Sequence, residues 1–439
     1  MSLYPPDTST LKRLGLDRRD VRAWVMYDWA NSAFMVVIVT AIFPNYFVSI
    51  VAADLPPATA STYLAVATTI ALAIVAVLAP ILGAYADYRA TRKRLLSVCF
   101  GLGVLSTAGL YFVEKGDWSL ALCLFTFGNI GAAGSIVFYD SLLPHIARKN
   151  EIDRISTAGY ALGYLGGGLL FAINVAWIVK PDFFGFPSVE MAIRVSFVSV
   201  ALWWLCFSIP LLRQVPEPPH KSETTGRHPI RIAFSRLYET FQQLRNYDQA
   251  LLMLVAFAIY NDGINTIIRM SSIYGTEIGI SREDLMAAFL LVQFVGVPFA
   301  FLFGTLADKI GAKRAIFLAL TVYTFISASA YFMATAFHFY LLAGLVATVQ
   351  GGSQALSRSL FASMIPKHKS TEFFGFFGVF DRFAGLLGPM VFAFVLGTTG
   401  ASRLAIFSIM IFFVVGAFLL AKVDVDKGQR RAREAEAIL

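Results

Sequence analysis

Apolar positions along the chain gather into blocks rather than spreading evenly. In windows of about 19 residues they form twelve blocks, near 23–48, 60–84, 94–113, 118–142, 156–179, 191–212, 249–272, 284–306, 313–333, 338–364, 372–397 and 402–422. Each is long enough, at about 20 residues, to cross a bilayer as a helix. Only short loops separate them, with one exception at 213–248. The start of that stretch, PEPPHKSETTGRHP, has the composition of a flexible linker. Its second part spaces Ile230, Phe234, Leu237, Phe241 and Leu244 as one helical stripe with Arg231 and Arg236 off it. That pattern predicts an amphipathic helix lying on the membrane surface.

The chain also repeats itself. Ser141-x-x-Pro144 recurs as Ser363-x-x-Pro366, and Gly163-x-x-Gly166 as Gly385-x-x-Gly388, both after 222 residues; Gly83-x-x-Ala86-Asp87 recurs as Gly304-x-x-Ala307-Asp308 after 221. Each pair occupies the same place in its set of six blocks, so the spacing predicts parallel six-helix halves. The expected organisation is a tail at 1–22, a bundle at 23–212, the linker at 213–248, a second bundle at 249–422 and a tail at 423–439. The fold class is therefore an all-α membrane protein of twelve transmembrane helices.

Composition agrees. Of 439 residues 57% are hydrophobic and 15% charged, against about 25% charged in soluble domains. This excludes a soluble enzyme, a disordered chain and a secreted disulfide scaffold. The net charge of +8 raises the question of nucleic acid, but its distribution answers it. Lys115, Lys180, Arg194, Arg269, Arg282 and Arg403 fall on one side and Arg358 within a span, while the other 29 of the 36 Lys and Arg lie in or beside segments of the opposite side. The positive-inside rule puts that side, with both termini, in the cytoplasm. The N-terminus lacks the short apolar core of a cleaved signal. Cys99, Cys123 and Cys206 lie in apolar blocks, and the five histidines are scattered, so neither a metal nor another cofactor is expected.

The loop after block two reads GAYADYRATRKR and its twin after block eight GTLADKIGAKRA. In each, a glycine permits close packing, a carboxylate follows four residues later, and a basic cluster sits at headgroup depth. Such an Asp can latch one conformation by facing a helix N-terminus or an Arg. Gly83, Asp87 and Arg92 form the first candidate gate, and Gly304, Asp308, Lys313 and Arg314 the second. These loops resemble the signature loop of the major facilitator superfamily. The second copy is nearer the family form, because Ala90 stands where the family has Gly; the latch is accordingly expected at Asp308 rather than Asp87.

YDWANSAF (27–34), ISTAGYALGYLGGGLL (155–170), YNDGINTI (260–267) and GGSQALSRSLFASMIPK (351–367) further resemble the autophagy-related vacuolar effluxer family and its bacterial relatives. The resemblance runs from about residue 20 to 420. It implies export of amino acids across a vacuolar membrane in fungi, and for the short loops of this chain a bacterial inner membrane; a eukaryotic source would imply a vacuolar or lysosomal one.

Polar residues inside spans are costly and mark function. Asp28, Asn31 and Ser32 share a face of span one; Asp262, Asn265, Thr266 and Arg269 form a stripe in span seven, with Asn261 beside it; Asn129 lies in span four. Gln350, Gln354 and Arg358 recur every four residues in span ten. Together these nine positions, Asp28, Asn31, Asn129, Asn261, Asp262, Asn265, Gln350, Gln354 and Arg358, are the expected substrate and proton pathway. Asp262 is about 20 Å from the span's cytoplasmic end and is the expected proton carrier. Arg358 either snorkels to the interface or faces the cavity, paired with Asp28, Asp140 or a substrate carboxylate. Asp381 and Arg382 are expected at the cytoplasmic mouth. The chain lacks a Walker motif, so the expected activity is secondary transport of a small polar solute, an amino acid above others. A sugar or drug transporter of the same fold is the alternative, and a non-transporting receptor or scaffold a further one. The bilayer and a small solute are the only partners implied.

Overall fold

The computed structural model describes residues 14–148, 150–218, 247–277, 279–385 and 387–437. The stripe from Ile230 to Leu244 and the first thirteen residues lie outside them. Helices occupy all twelve predicted block positions, and the described residues contain no strand. Block one is a single helical run, α1 (Arg19–Val51), that widens into π-helical turns at Met35–Ala41 and Phe47–Val51. It is followed by α2 (Pro57–Arg89), α3 (Arg92–Gly109), α4 (Trp118–Ile146), α5 (Ile152–Val179) and α6 (Val189–Gln214). The second set is α7 (Asp248–Glu277), α8 (Arg282–Ile310), α9 (Ala312–Ala330) and α10 (Ala336–Ser363). Block eleven is broken into α11 (Ser370–Ala384) and α12 (Leu387–Thr399), and block twelve is α13 (Ser402–Ala421).

Among the described residues nine helices are long and apolar enough to cross a membrane. The other three positions fall short for visible reasons. α9 opens with Lys313 and Arg314, α10 carries the Gln350–Gln354–Arg358 stripe, and neither piece of block eleven is long enough alone. Large apolar side chains such as Val77, Leu105, Leu302, Phe325 and Phe394 are exposed, as expected of helix faces turned to lipid.

Within the first set, α1 packs on α5 and α6, and α4 on α2 and α3; within the second, α10 packs on α8 and α9, and α7 on α13. The two sets meet mainly where α2 lies along α11 and α5 along α8 and α10. These contacts concentrate at the end of the molecule that bears the Asp87 and Asp308 loops, which is closed. At the opposite end the sets diverge around a cavity of about 780 Å³.

One expectation needs correction. The segment after 422 is not a tail. Residues Val425–Ala437 form a further helix, α14, that buries Gly428 and Ala432. Lys427 Nζ and Arg431 Nη1 both reach the Asp248 carboxylate at the start of α7, at 2.7 and 2.5 Å, and Gln429 Nε2 donates to Ser363 Oγ at the end of α10. Its basic residues repeat at helical spacing, which places them together over one acidic helix start.

The α2 terminus carries a strained residue. Ala90 sits at φ 50°, ψ 52°, the left-handed region, while its counterpart after α8 is Gly311 at φ 85°. Side chains disfavour that region by about 1–2 kcal/mol, an amount only partly offset by glycine's greater loss of chain entropy. Ala90→Gly is therefore expected to stabilise the protein by about 0.5–1 kcal/mol, read as a higher midpoint in thermal unfolding of the detergent-solubilised protein. An unchanged or lower midpoint would contradict the strain.

Candidate functional site

The closed end is tied by side chains that reach from one set of helices to the other. Arg358 on α10 is 3% exposed, and its partners all belong to the first set. Nη1 donates to Asp140 Oδ1 on α4 at 2.9 Å and Nη2 stands 3.4 Å from Asp28 Oδ2 on α1. Nε donates to Ser156 Oγ and Nη2 to the Ser156 carbonyl on α5, each at 2.9 Å. The rings of Trp24, Tyr139 and Tyr160 lie 5.0, 5.7 and 4.7 Å from the guanidinium carbon. Tyr139 also donates its hydroxyl to Asp28 Oδ2 at 2.8 Å. Gly159 makes room for this cluster, since a Cβ there would stand 2.4 Å from Asp28 Oδ2.

Both signature loops contribute further ties. Asp87 is buried, and its carboxylate accepts from Arg92 Nε at 2.8 Å and from the backbone N–H of Glu372 at 3.0 Å. That N–H belongs to the first turn of α11, where a helix favours negative charge. Arg92 Nε also donates to Thr371 Oγ1 at 2.7 Å. Asp308 pairs with Arg154 on α5, both partly exposed. Gly83 and Gly304 let the backbones meet, because a Cβ at either would collide with Thr371 or Thr157. Asp153 accepts from Ser359, Ser156 donates to the Ala355 carbonyl at 2.7 Å, and His145 Nε2 lies 3.1 Å from Ser370 Oγ. Lys313 instead holds the carbonyls of Ala421 and Val423, within its own set.

Likeness to the family motif favours Asp308 as the latch, while the contacts differ in the other direction: Asp87 meets a helix N-terminus and the buried Arg92, Asp308 the partly exposed Arg154.

The cavity begins above this layer. Asp28, Asn31, Asn129, Asn265, Gln350 and Gln354 line it, as the sequence predicts. Asn261, Asp262 and Arg358 are not among the lining residues. Arg358 neither snorkels nor faces the cavity; it lies beneath the floor. Asn261 stands behind the wall, donating to Asp381 Oδ1 at 2.6 Å and accepting from Gln354 Nε2 at 3.3 Å. Asp262, fully buried, accepts the Gly388 N–H at 2.8 Å and so caps the start of α12 at the break in block eleven.

Four of the lining residues outside the predicted pathway positions stand out. Asp381 faces the cavity instead of the closed mouth, because α11 carries it about 16 Å up from its start. Arg269 lines the cavity, with Nη1 3.4 Å from the Gly385 carbonyl; the sequence placed it beyond the membrane, although it continues the Asp262–Asn265 stripe. Tyr160 and Tyr164 complete the floor and wall, both visible only as part of the motif ISTAGYALGY. Among the described residues no group of His, Cys, Asp and Glu could hold a metal ion.

The two latches differ measurably. Asp87 reaches the other set through the buried Glu372 N–H, and a hydrogen bond to a charged group contributes about 1.5–3 kcal/mol, whereas an exposed ion pair contributes about 0.2–1 kcal/mol. Spin labels at Arg148→Cys and Lys309→Cys, exposed positions on opposite sets, report closure as a distance. Asp87→Asn is expected to shift that distance distribution strongly toward separation, and Asp308→Asn only slightly. Equal shifts would contradict the ranking.

Comparison with known proteins agrees with this geometry. The family described as vacuole effluxer Atg22 like matches residues 54–433. An uncharacterized MFS-type transporter of Bacillus subtilis, YxiO, is 39% identical over 406 residues, covering 92% of this chain and 94% of its own. Autophagy-related protein 22 of Yarrowia lipolytica is 26% identical over 324 residues, which are 66% of this chain and 54% of the fungal protein. The match thus spans about half the length of that fungal relative. Among solved structures, the proton:xylose symporter XylE superposes with a TM-score of 0.69 at 16% identity, covering 97% of this chain and 99% of XylE. The transporter FucP in its outward conformation gives 0.65 at 12%, covering 94% and 99%; at such identities both speak for the fold alone. The chain belongs to the Atg22-like vacuole effluxer family within the major facilitator superfamily, and it is a membrane transporter, not an enzyme.

Proposed function

We propose that this transporter moves amino acids, exporting them by alternating access, with residues 23–212 and 249–422 rocking about the cavity. In this reading the chain crosses the membrane twelve times, the closed end with its positive loops and both termini faces the cytoplasm, and the membrane is a bacterial inner membrane. The description of the family as effluxers and the likeness to YxiO of Bacillus subtilis support the direction and the membrane.

One observation carries the choice of solute: a guanidinium and two carboxylates face the same cavity. Arg269 is exposed on one wall, while Asp28 and Asp381 stand on others. A zwitterion offers a carboxylate to the first and an ammonium to the second. In this reading Arg269 takes the role expected of Arg358. Between the charges, Asn31 Nδ2 and Gln293 Oε1 are buried and lack hydrogen-bond partners among the described residues. An unsatisfied buried amide is costly, so both atoms favour a polar occupant. The same amides would suit sugar hydroxyls, but a sugar leaves Arg269 without a counter-charge.

The solute is identified by thermal unfolding of the purified protein in the presence of each of the common amino acids, xylose and fucose. A ligand at 100 times its Kd stabilises the folded state by about 2.7 kcal/mol. At least one amino acid is expected to raise the midpoint, its methyl ester is not, and Arg269→Ala is expected to abolish the rise. Stabilisation by a sugar and by no amino acid would overturn the assignment.

A further inference from the structure

The charges beneath the cavity floor do not balance. Arg358 supplies one positive charge, while Asp28 and Asp140 together supply two negative charges when both are ionised. Like charges sharing a buried site disfavour double ionisation, and Asp28 of this cluster lines the cavity. The remaining groups around the cluster do not cancel the excess. From α1 comes the neutral ring of Trp24, from α4 the Tyr139 hydroxyl, from α5 Ser156 and the Tyr160 ring. Asp381 on α11 adds another negative charge across the cavity, and Arg269 on α7 stands on the opposite wall.

We infer that Asp28 and Asp140 share a single transported proton, and that its arrival loosens the hold of Arg358 across the two sets of helices. The inference rests on the transporter reading but not on the solute being an amino acid. Its access route is explicit. The Asp28 side chain lines the cavity and is 14% exposed, whereas Asp140 and Arg358 are 9% and 4% exposed beneath it. A hydronium in the cavity gives its proton to Asp28. The Asp28 carboxylate then no longer pairs with Arg358, which keeps only Asp140 and Ser156. All of these partners lie on α1, α4 and α5. When the closed end parts, Arg358 withdraws with α10, and the carboxyl pair meets water on the other side, where the proton leaves. Asp262 is not needed for this route, because it caps α12 away from the cavity.

The sign follows from the geometry. Deprotonated Asp28 pairs with Arg358 and holds the end closed, so the hold weakens when the carboxyl pair takes up its proton. The test uses the full chain with Cys99, Cys123 and Cys206 replaced by alanine and spin labels at Arg148→Cys and Lys309→Cys, with no solute added. Between about pH 8 and about pH 5 the wild-type label distance is expected to lengthen in one reversible transition. Asp28→Asn and Asp140→Asn are each expected to remove the transition, and Asp262→Asn to retain it. Wild-type titration in both Asp28→Asn and Asp140→Asn, or its loss in Asp262→Asn alone, would overturn the inference. Absence of any transition in the wild type would overturn it too. Counterflow of amino acids in liposomes without a pH gradient tests the solute separately. A pH transition without counterflow leaves the proton site standing and removes the amino acid.

Discussion

A charged side chain inside a membrane protein must find its counter-charge from within the protein, and among the described residues the carboxylates paired with Arg358 are on the other set of helices. Burying an unpaired guanidinium in low dielectric is prohibitive, so wherever α10 goes, Asp28, Asp140 and Ser156 must be met or water must be admitted. That requirement makes the interface bistable. Either the two sets close over Arg358, as they do here, or they separate far enough to hydrate it. The other ties, Asp87 on the α11 N-terminus and Asp308 on Arg154, work in the same way at greater distance from the cavity. Paired charges between rigid bundles give two states in place of a graded motion.

The cavity depends on the same constraint. Closing one end around buried polar groups splays the helices at the other, where Asn265, Gln350 and the π-helical turn at Met35–Ala41 become accessible. The break between α11 and α12 serves the wall. It orients Asp381 inward through Asn261 and leaves a helix start that Asp262 caps. Asp262, the deepest of these carboxyls, holds that helix start through Oδ2.

Much of this was legible in the sequence. Block length and the repeats at 221 and 222 residues predicted the fold, and helical periodicity brought Asp28, Asn31, Gln350 and Gln354 to the cavity. The pairing of Arg358 with Asp28 and Asp140 stood among the alternatives because all three are deep, polar and near one end. Pairwise geometry was less accessible. Periodicity assigns a face to Asp262 but not the neighbour across it, and the neighbour is a broken helix. Arg269 was placed outside because a charge near a span end reads as loop, although the helix continues to Glu277. The deeper burial of Asp87 was not legible for a similar reason: motif likeness describes one side of a contact, whereas burial is set by both. α14 was missed because a charged terminus carries no apolar block, and only its contact with Asp248 reveals its packing.

The central claim is that Arg358 couples the two sets of helices through the carboxyl pair, and a double-mutant cycle tests it most directly. Thermal stability of the purified protein would be measured for wild type, Arg358→Gln, Asp140→Asn and the double variant under identical conditions. Contacting charges in one network show interaction energies of about 0.5–3 kcal/mol. The account predicts that the double variant is destabilised far less than the sum of the single variants, with a coupling of at least about 1 kcal/mol. Additive losses would contradict it, because Arg358 and Asp140 would then act independently.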